Sequence, residues 1–151
     1  MRIAFGSDER TALTDHLVEE LQARGHRVSL LGPPAGDGAP EAGMQWAEVG
    51  QRAAMAVAQG DADEAVICCW TGTGVSIAAN RVPGVRAALC SDAETARGAR
   101  RWNDANALCL SLRTTTEALA REILDAWFAG ETLDPGERQN VARLEGRDGG
   151  A

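Results

Sequence analysis

The sequence predicts a three-layer α/β/α sandwich on a five-stranded parallel sheet, and three observations predict it. Short apolar runs of β type alternate with segments of helical period along the whole chain. Glycines and prolines punctuate the changes from one to the other. The 151 residues suit one domain with a single sizeable core.

The elements follow in order. Met1 to Phe5 reads as a strand ending at Gly6-Ser7-Asp8. Leu13, Leu17, Val18 and Leu21 recur at helical spacing until Gly25, a residue suited to a helix stop. Val28 to Leu31 is a second strand, and Gly32 to Gly43 a Gly/Pro/Ala-rich mobile loop. Trp46 to Gln59 reads as a helix with Val49, Ala53, Ala56 and Val57 inward. Ala65 to Cys68 is the third strand, and Val75 to Asn80 starts a third helix. Arg86 to Cys90, a polar helix from Ala93 to Trp102, and Ala107 to Leu112 come next. The helix Thr115 to Phe128 sets Leu119, Ile123, Ala126 and Trp127 on one face. Pro135 opens a last short helix through Leu144, and residues 146–151 are expected to fray.

Composition narrows the function. A net charge of −7 disfavours a nucleic-acid partner. All 15 basic residues are arginine, which excludes Schiff-base chemistry through lysine. No apolar run approaches the ~20 residues of a membrane span, and no signal peptide opens the chain. Cys68, Cys69, Cys90 and Cys109 lie in apolar runs without metal-ligand spacing, as buried thiols of a cytoplasmic protein do. No His/carboxylate cluster is visible, so no metal is expected; with no third glycine for a dinucleotide fingerprint and no P-loop lysine, no other cofactor is expected either.

The chemistry concentrates between Glu64 and Asn80. A strand, the turn Thr71-Gly72-Thr73-Gly74 and a helix start make an anion pocket, because glycine lets a ligand approach and the first helical N–H groups lack partners. Cys69 stands at the strand's carboxyl end, where open α/β sheets bind ligands. Donors at that turn stabilise a thiolate or an oxyanion alike, so Cys69 reads as base or nucleophile. The bland alternative is an ordinary tight turn beside a buried thiol.

Cys69-x-Thr71-Gly72-x-Gly74-x-Ser76-Ile77-Ala78-Ala79-Asn80 resembles the loop of the ribose-5-phosphate isomerase B family, which includes the galactose-6-phosphate isomerase subunits. Ile3 to Asp8, Gly84 to Ala87 and Asn103-Asp104-Ala105-Asn106 resemble further motifs of that family. The resemblance implies a single Rossmann-like sugar-phosphate isomerase domain over residues 1–145. It implies a homodimer, often paired into a tetramer, with active sites at the subunit interface; apolar faces such as Trp127 and Phe128 suggest the contact. It also implies aldose–ketose isomerisation through an enediolate, with Cys69 as base and Thr71 to Gly74 as the oxyanion site. The family's alternative glutamate base falls on Val75.

Carried over in the same way, Asp8 contacts sugar hydroxyls, Asn103 binds sugar near the oxyanion, and Arg113 holds phosphate. Asp8 as a helix cap and Arg113 as an ordinary exposed residue are the plain alternatives. Asn80 and Asp104 read as structural. The departures sit beside these matches. Glu9 and Trp102 replace histidines, the second of them the ring-opening acid. Trp70 replaces the glycine after the family cysteine, Ala42-Gly43-Met44 replaces an Asp-Tyr-Pro motif, and Asn140 stands where a tail arginine would. Glu9 is expected to disfavour phosphate, and Trp70 and Trp102 to offer flat faces for stacking on a sugar. His16 and His26 are expected at the surface. The readings are thus a sugar-phosphate isomerase, an isomerase of an unphosphorylated or modified sugar, or a non-catalytic sugar-binding subunit.

Overall fold

The computed structural model describes residues 1–146, so the expected frayed tail lies outside the described residues apart from Gly146. Five strands, β1 (Arg2–Ser7), β2 (Arg27–Leu31), β3 (Glu64–Cys69), β4 (Ala87–Leu89) and β5 (Ala107–Ser111), form one parallel sheet in the order β2-β1-β3-β5-β4. Between and after them run α1 (Ala12–Ala23), α2 (Trp46–Ala58), α3 (Thr73–Ala79), α4 (Ala93–Asn103), α5 (Glu117–Trp127) and α6 (Arg138–Leu144). Three-residue 3-10 turns occupy Pro33–Ala35, within the loop after β2, and Pro135–Glu137, before α6.

Strand alternation builds two cores, one on each face. Leu30, Phe5, Val66, Leu108 and Ala88 stand abreast across all five strands. They face the layer of α1, α4 and α5 together with Cys68, Leu17, Ile123 and Leu124. The next row, Leu31, Gly6, Ile67, Cys109 and Leu89, turns toward α2 and α3, where Cys69, Val49, Ala53 and Val75 complete the second core. Each fully buried Leu, Ile or Val contributes about 1.5–3 kcal/mol relative to exposure, so the two cores carry the fold.

Helix starts are fixed by side chains. Thr11 caps α1 in a reciprocal arrangement with Thr14, Asp92 accepts the Thr95 N–H at the start of α4, and Thr116 accepts that of Leu119. Gly50 lets α2 lie against α3: a Cβ there would come within 2.9 Å of the Val75 carbonyl oxygen. Most boundaries agree with the sequence reading to within two residues. β4 begins one residue later than expected, where the Arg86 N–H donates to the Asn106 side-chain oxygen at 2.8 Å and the Ala87 N–H to that of Asn80 at 2.9 Å, instead of to a neighbouring strand.

Two expectations are corrected. Trp127 is not an exposed apolar face; it is 1% exposed, and its Nε1 donates to the buried Glu64 Oε2 at 2.6 Å. An indole whose N–H finds a buried acceptor belongs in a core. The histidines are half-buried rather than superficial: His26 packs on Phe128 with ring centroids 4.4 Å apart, and His16 Nδ1 lies 3.9 Å from Glu117.

Candidate active site

β3 runs up the middle of the sheet, so its last residue, Cys69, emerges at the carboxyl end with β1 and β5 on either side. The exit is pinned. The Leu112 N–H donates to the Cys69 carbonyl at 3.0 Å, the Arg113 N–H to that of Trp70 at 2.9 Å, and the Ser111 hydroxyl to the same Trp70 oxygen at 3.0 Å. Backbone pairing thus continues beyond the strand and fixes where the thiol stands.

The chain then reverses through Gly72, whose φ of 75° lies in the left-handed region. A Cβ at that position would also meet Leu89 Cδ1 at 2.5 Å and the Leu110 carbonyl carbon at 2.9 Å. Only glycine fits. α3 begins immediately, and its first-turn N–H groups have no acceptor within the helix. The Thr71 and Thr73 hydroxyls hydrogen-bond each other at 2.8 Å above this turn.

A cleft of about 260 Å³ opens over Cys69. Asp8 lines it from the end of β1, and Trp70, Thr71, Thr73 and Gly74 line it from the turn. Cys69 is 5% exposed, whereas Cys68 is fully buried on the opposite face, where burial pushes its thiol well above the ordinary range. All four cysteines are free, and burial also pushes Cys90 up, to about 12.

The seventh lining residue is Trp46, which the sequence reading placed in a helix and not in the site. Its ring lies over Gly74, with Cε3 2.7 Å from where a Cβ would be. The ring is 45% exposed at the start of α2, and its partner Gly74 is 28 positions away in sequence, beyond the reach of any local pattern.

Other sequence candidates are distributed as follows. Asp8 is not a helix cap, since Thr11 fills that role; its Oδ1 is buried without a hydrogen-bond partner among the described residues. Burial raises its pKa, with the charge of Glu9 adding to the effect. Glu9 is exposed and outside the cleft lining, its N–H donating to Ser7 Oγ at 3.3 Å. Solvent screens a carboxylate there, which shrinks its expected effect on a phosphate toward about 1 kcal/mol. Arg113 is exposed and does not line the cleft, although its backbone N–H is bonded to the Trp70 carbonyl.

Trp102 and Asn103 line a different cleft, of about 740 Å³, with Leu89 and Leu144. They end α4, just ahead of β5, and so stand toward the opposite end of the sheet from Cys69. Asn80 is structural, as expected: Nδ2 donates to the Ser76 and Ala87 carbonyls at 3.0 and 2.9 Å, and Oδ1 accepts from the Ala87 N–H at 2.9 Å. Asp104 is structural too, held at a φ of 48° and paired with Arg86. The described residues contain no cluster of three or more metal-ligating side chains, and no helix among them is long and apolar enough to cross a membrane.

The ribose/galactose isomerase family model matches residues 3–145. The chain belongs to that family. It is 34% identical to ribose-5-phosphate isomerase B of Escherichia coli over 144 residues, covering 95% of this chain and 93% of that one. It is 31% identical to D-erythrulose-4-phosphate isomerase of Pectobacterium atrosepticum over 146 residues, again 95% and 93%. The ribose-5-phosphate isomerase B structure from Clostridium thermocellum superposes with a TM-score of 0.86 at 35% identity, covering 97% of this chain and 96% of that one. These relatives are sugar-phosphate isomerases, the activity class that the Cys69 loop predicted.

Proposed function

We propose that the chain interconverts an aldose phosphate and its ketose by moving one proton between adjacent carbons. Cys69 takes the proton from C2, and the N–H groups around Thr71 to Gly74, with the Thr71 hydroxyl, hold the enediolate oxygen. The observation that carries this reading is the position of Cys69 in the cleft. It is the one cysteine at a carboxyl strand end beside a glycine turn, while Cys68 faces the other core. Small sugar phosphates of the sizes named by the relatives fit the reading, with the exposed Arg113, next after Leu112 beyond β5, as the cation to meet the phosphate.

The functional unit is a homodimer in which each site is completed by the second copy. Within one chain Trp102 and Asn103 stand toward the other end of the sheet from Cys69, so a second copy has to bring them to it. The apolar surface that supports such packing is not Trp127 but Ile77, Leu89, Trp102 and Leu144, all more than a third exposed.

The test is washout of deuterium from C2 of the substrate. Cys69→Ala is expected to slow exchange and turnover by ~10²–10⁴-fold, the usual contribution of a positioned base. A folded variant that exchanges C2 at the wild-type rate removes Cys69 from the mechanism.

A further inference from the structure

A pentose phosphate closed as a furanose has no carbonyl next to the carbon that Cys69 deprotonates. The ring bond at C1 has to break first, and that needs a proton on the ring oxygen. No histidine among the described residues lines the Cys69 cleft. Trp102 offers an indole, which gives up no proton near neutral pH, and it stands elsewhere in the chain.

Among the described residues Asp8 is the one carboxyl that lines the cleft. Its Oδ1 is out of solvent and without a partner, and Asp8 forms no ion pair among the described residues. Among the described residues its own backbone N–H is the group that favours the charged form, while burial, the larger effect, and the neighbouring Glu9 both favour the neutral acid. Since Thr11 caps α1, the fold itself assigns Asp8 no structural task at that helix.

We propose that Asp8 is the ring-opening acid, a catalytic carboxyl that acts on the cyclic sugar before Cys69 acts on the open one. Protonated Asp8 passes its proton to the ring oxygen as the C1–O bond breaks, and the bonding pair stays on that oxygen. The O–H pair of the anomeric hydroxyl becomes the carbonyl π bond, its proton leaves to water, and the Asp8 carboxylate regains a proton from water. No oxidant or further reactant enters. The assignment rests on the isomerase reading above and adds a residue to it.

Two substrates separate the roles of Asp8. Ribose 5-phosphate has a free hydroxyl at C4 that closes a furanose, whereas D-erythrulose 4-phosphate carries its phosphate there and stays open. Asp8→Asn, close in shape but unable to donate the proton, is expected to lower kcat/KM for ribose 5-phosphate by roughly 10²-fold. The loss on erythrulose 4-phosphate should be smaller by about tenfold or more, and a circular dichroism spectrum and thermal unfolding matching wild type show that the variant is folded. Equal losses on both substrates would make Asp8 a ligand of sugar hydroxyls and overturn the proposal, as would an unchanged rate on ribose 5-phosphate. A wild-type protein inactive on both substrates and on hexose phosphates would instead bring down the isomerase reading, and this one with it.

Discussion

The indole of Trp46 lies on the backbone of Gly74, so close that a methyl at position 74 would sit 2.7 Å from ring carbon Cε3. A residue at the start of α2 therefore walls the cleft formed at the start of α3, and the missing side chain of Gly74 makes the space. Gly74→Ala is expected to displace the ring while the fold survives, since Gly74 is not in the left-handed region. KM should rise about tenfold, equal to ~1.4 kcal/mol of binding, with a smaller change in kcat. Michaelis kinetics with indole fluorescence would show both effects.

The adjacent thiols should separate cleanly. Cys69→Ser is expected to be nearly inactive, because a hydroxyl in the same place stays protonated near neutral pH. Cys68→Ala removes a fully buried sulfur from the opposite core, so it should cost on the order of 1–2 kcal/mol in urea unfolding and spare turnover. Loss of activity in a folded Cys68→Ala protein would contradict the assignment of faces.

Sharing of sites between copies has a mixing test. Cys69→Ala and Asn103→Ala are each expected to be impaired as pure proteins. Exchanged into one oligomer, they should regain activity, because a mixed dimer contains one site with both native residues. No recovery upon verified subunit exchange, or a monomeric mass by light scattering at micromolar concentration, would rule the shared site out.

At the amino end of β3, Glu64 binds Trp127 through Oε2 and Arg100 through Oε1, at 2.6 and 2.8 Å, and the guanidinium lies 5.1 Å from the centre of the Trp127 ring. Trp127→Phe leaves Glu64 Oε2 without that donor. Unfolding free energy should fall by about 1–3 kcal/mol through the lost hydrogen bond, plus a share from the smaller ring. Activity at saturating substrate should change little, since the cleft opens at the other end of the sheet.

His26 gives the protein a pH signature away from the site. Burial pushes its pKa below the ordinary 6.5, with the N-terminal ammonium and Arg24 adding to the effect. Over the window between the folded and unfolded values, the unfolded chain binds more protons than the folded one. Stability therefore rises with pH through that window and levels off above the unfolded value. Thermal unfolding between about pH 5.5 and 7 should show this slope, and His26→Phe, which keeps an aromatic ring against Phe128, should flatten it.

The sequence alone fixed what depends on neighbours along the chain. Strand alternation separated Cys68 from Cys69, and a β-turn-α pattern with glycines at 72 and 74 and a terminal cysteine marked the cleft. The order of elements and nearly all boundaries were legible for the same reason. What the tertiary structure decided depends on residues far apart in sequence. Nothing local orders β5 between β3 and β4, sets Trp46 on Gly74, or gives Trp127 a buried carboxylate 63 positions away. Helical phase tells which face of an element is apolar, but only packing in three dimensions chooses what that face meets.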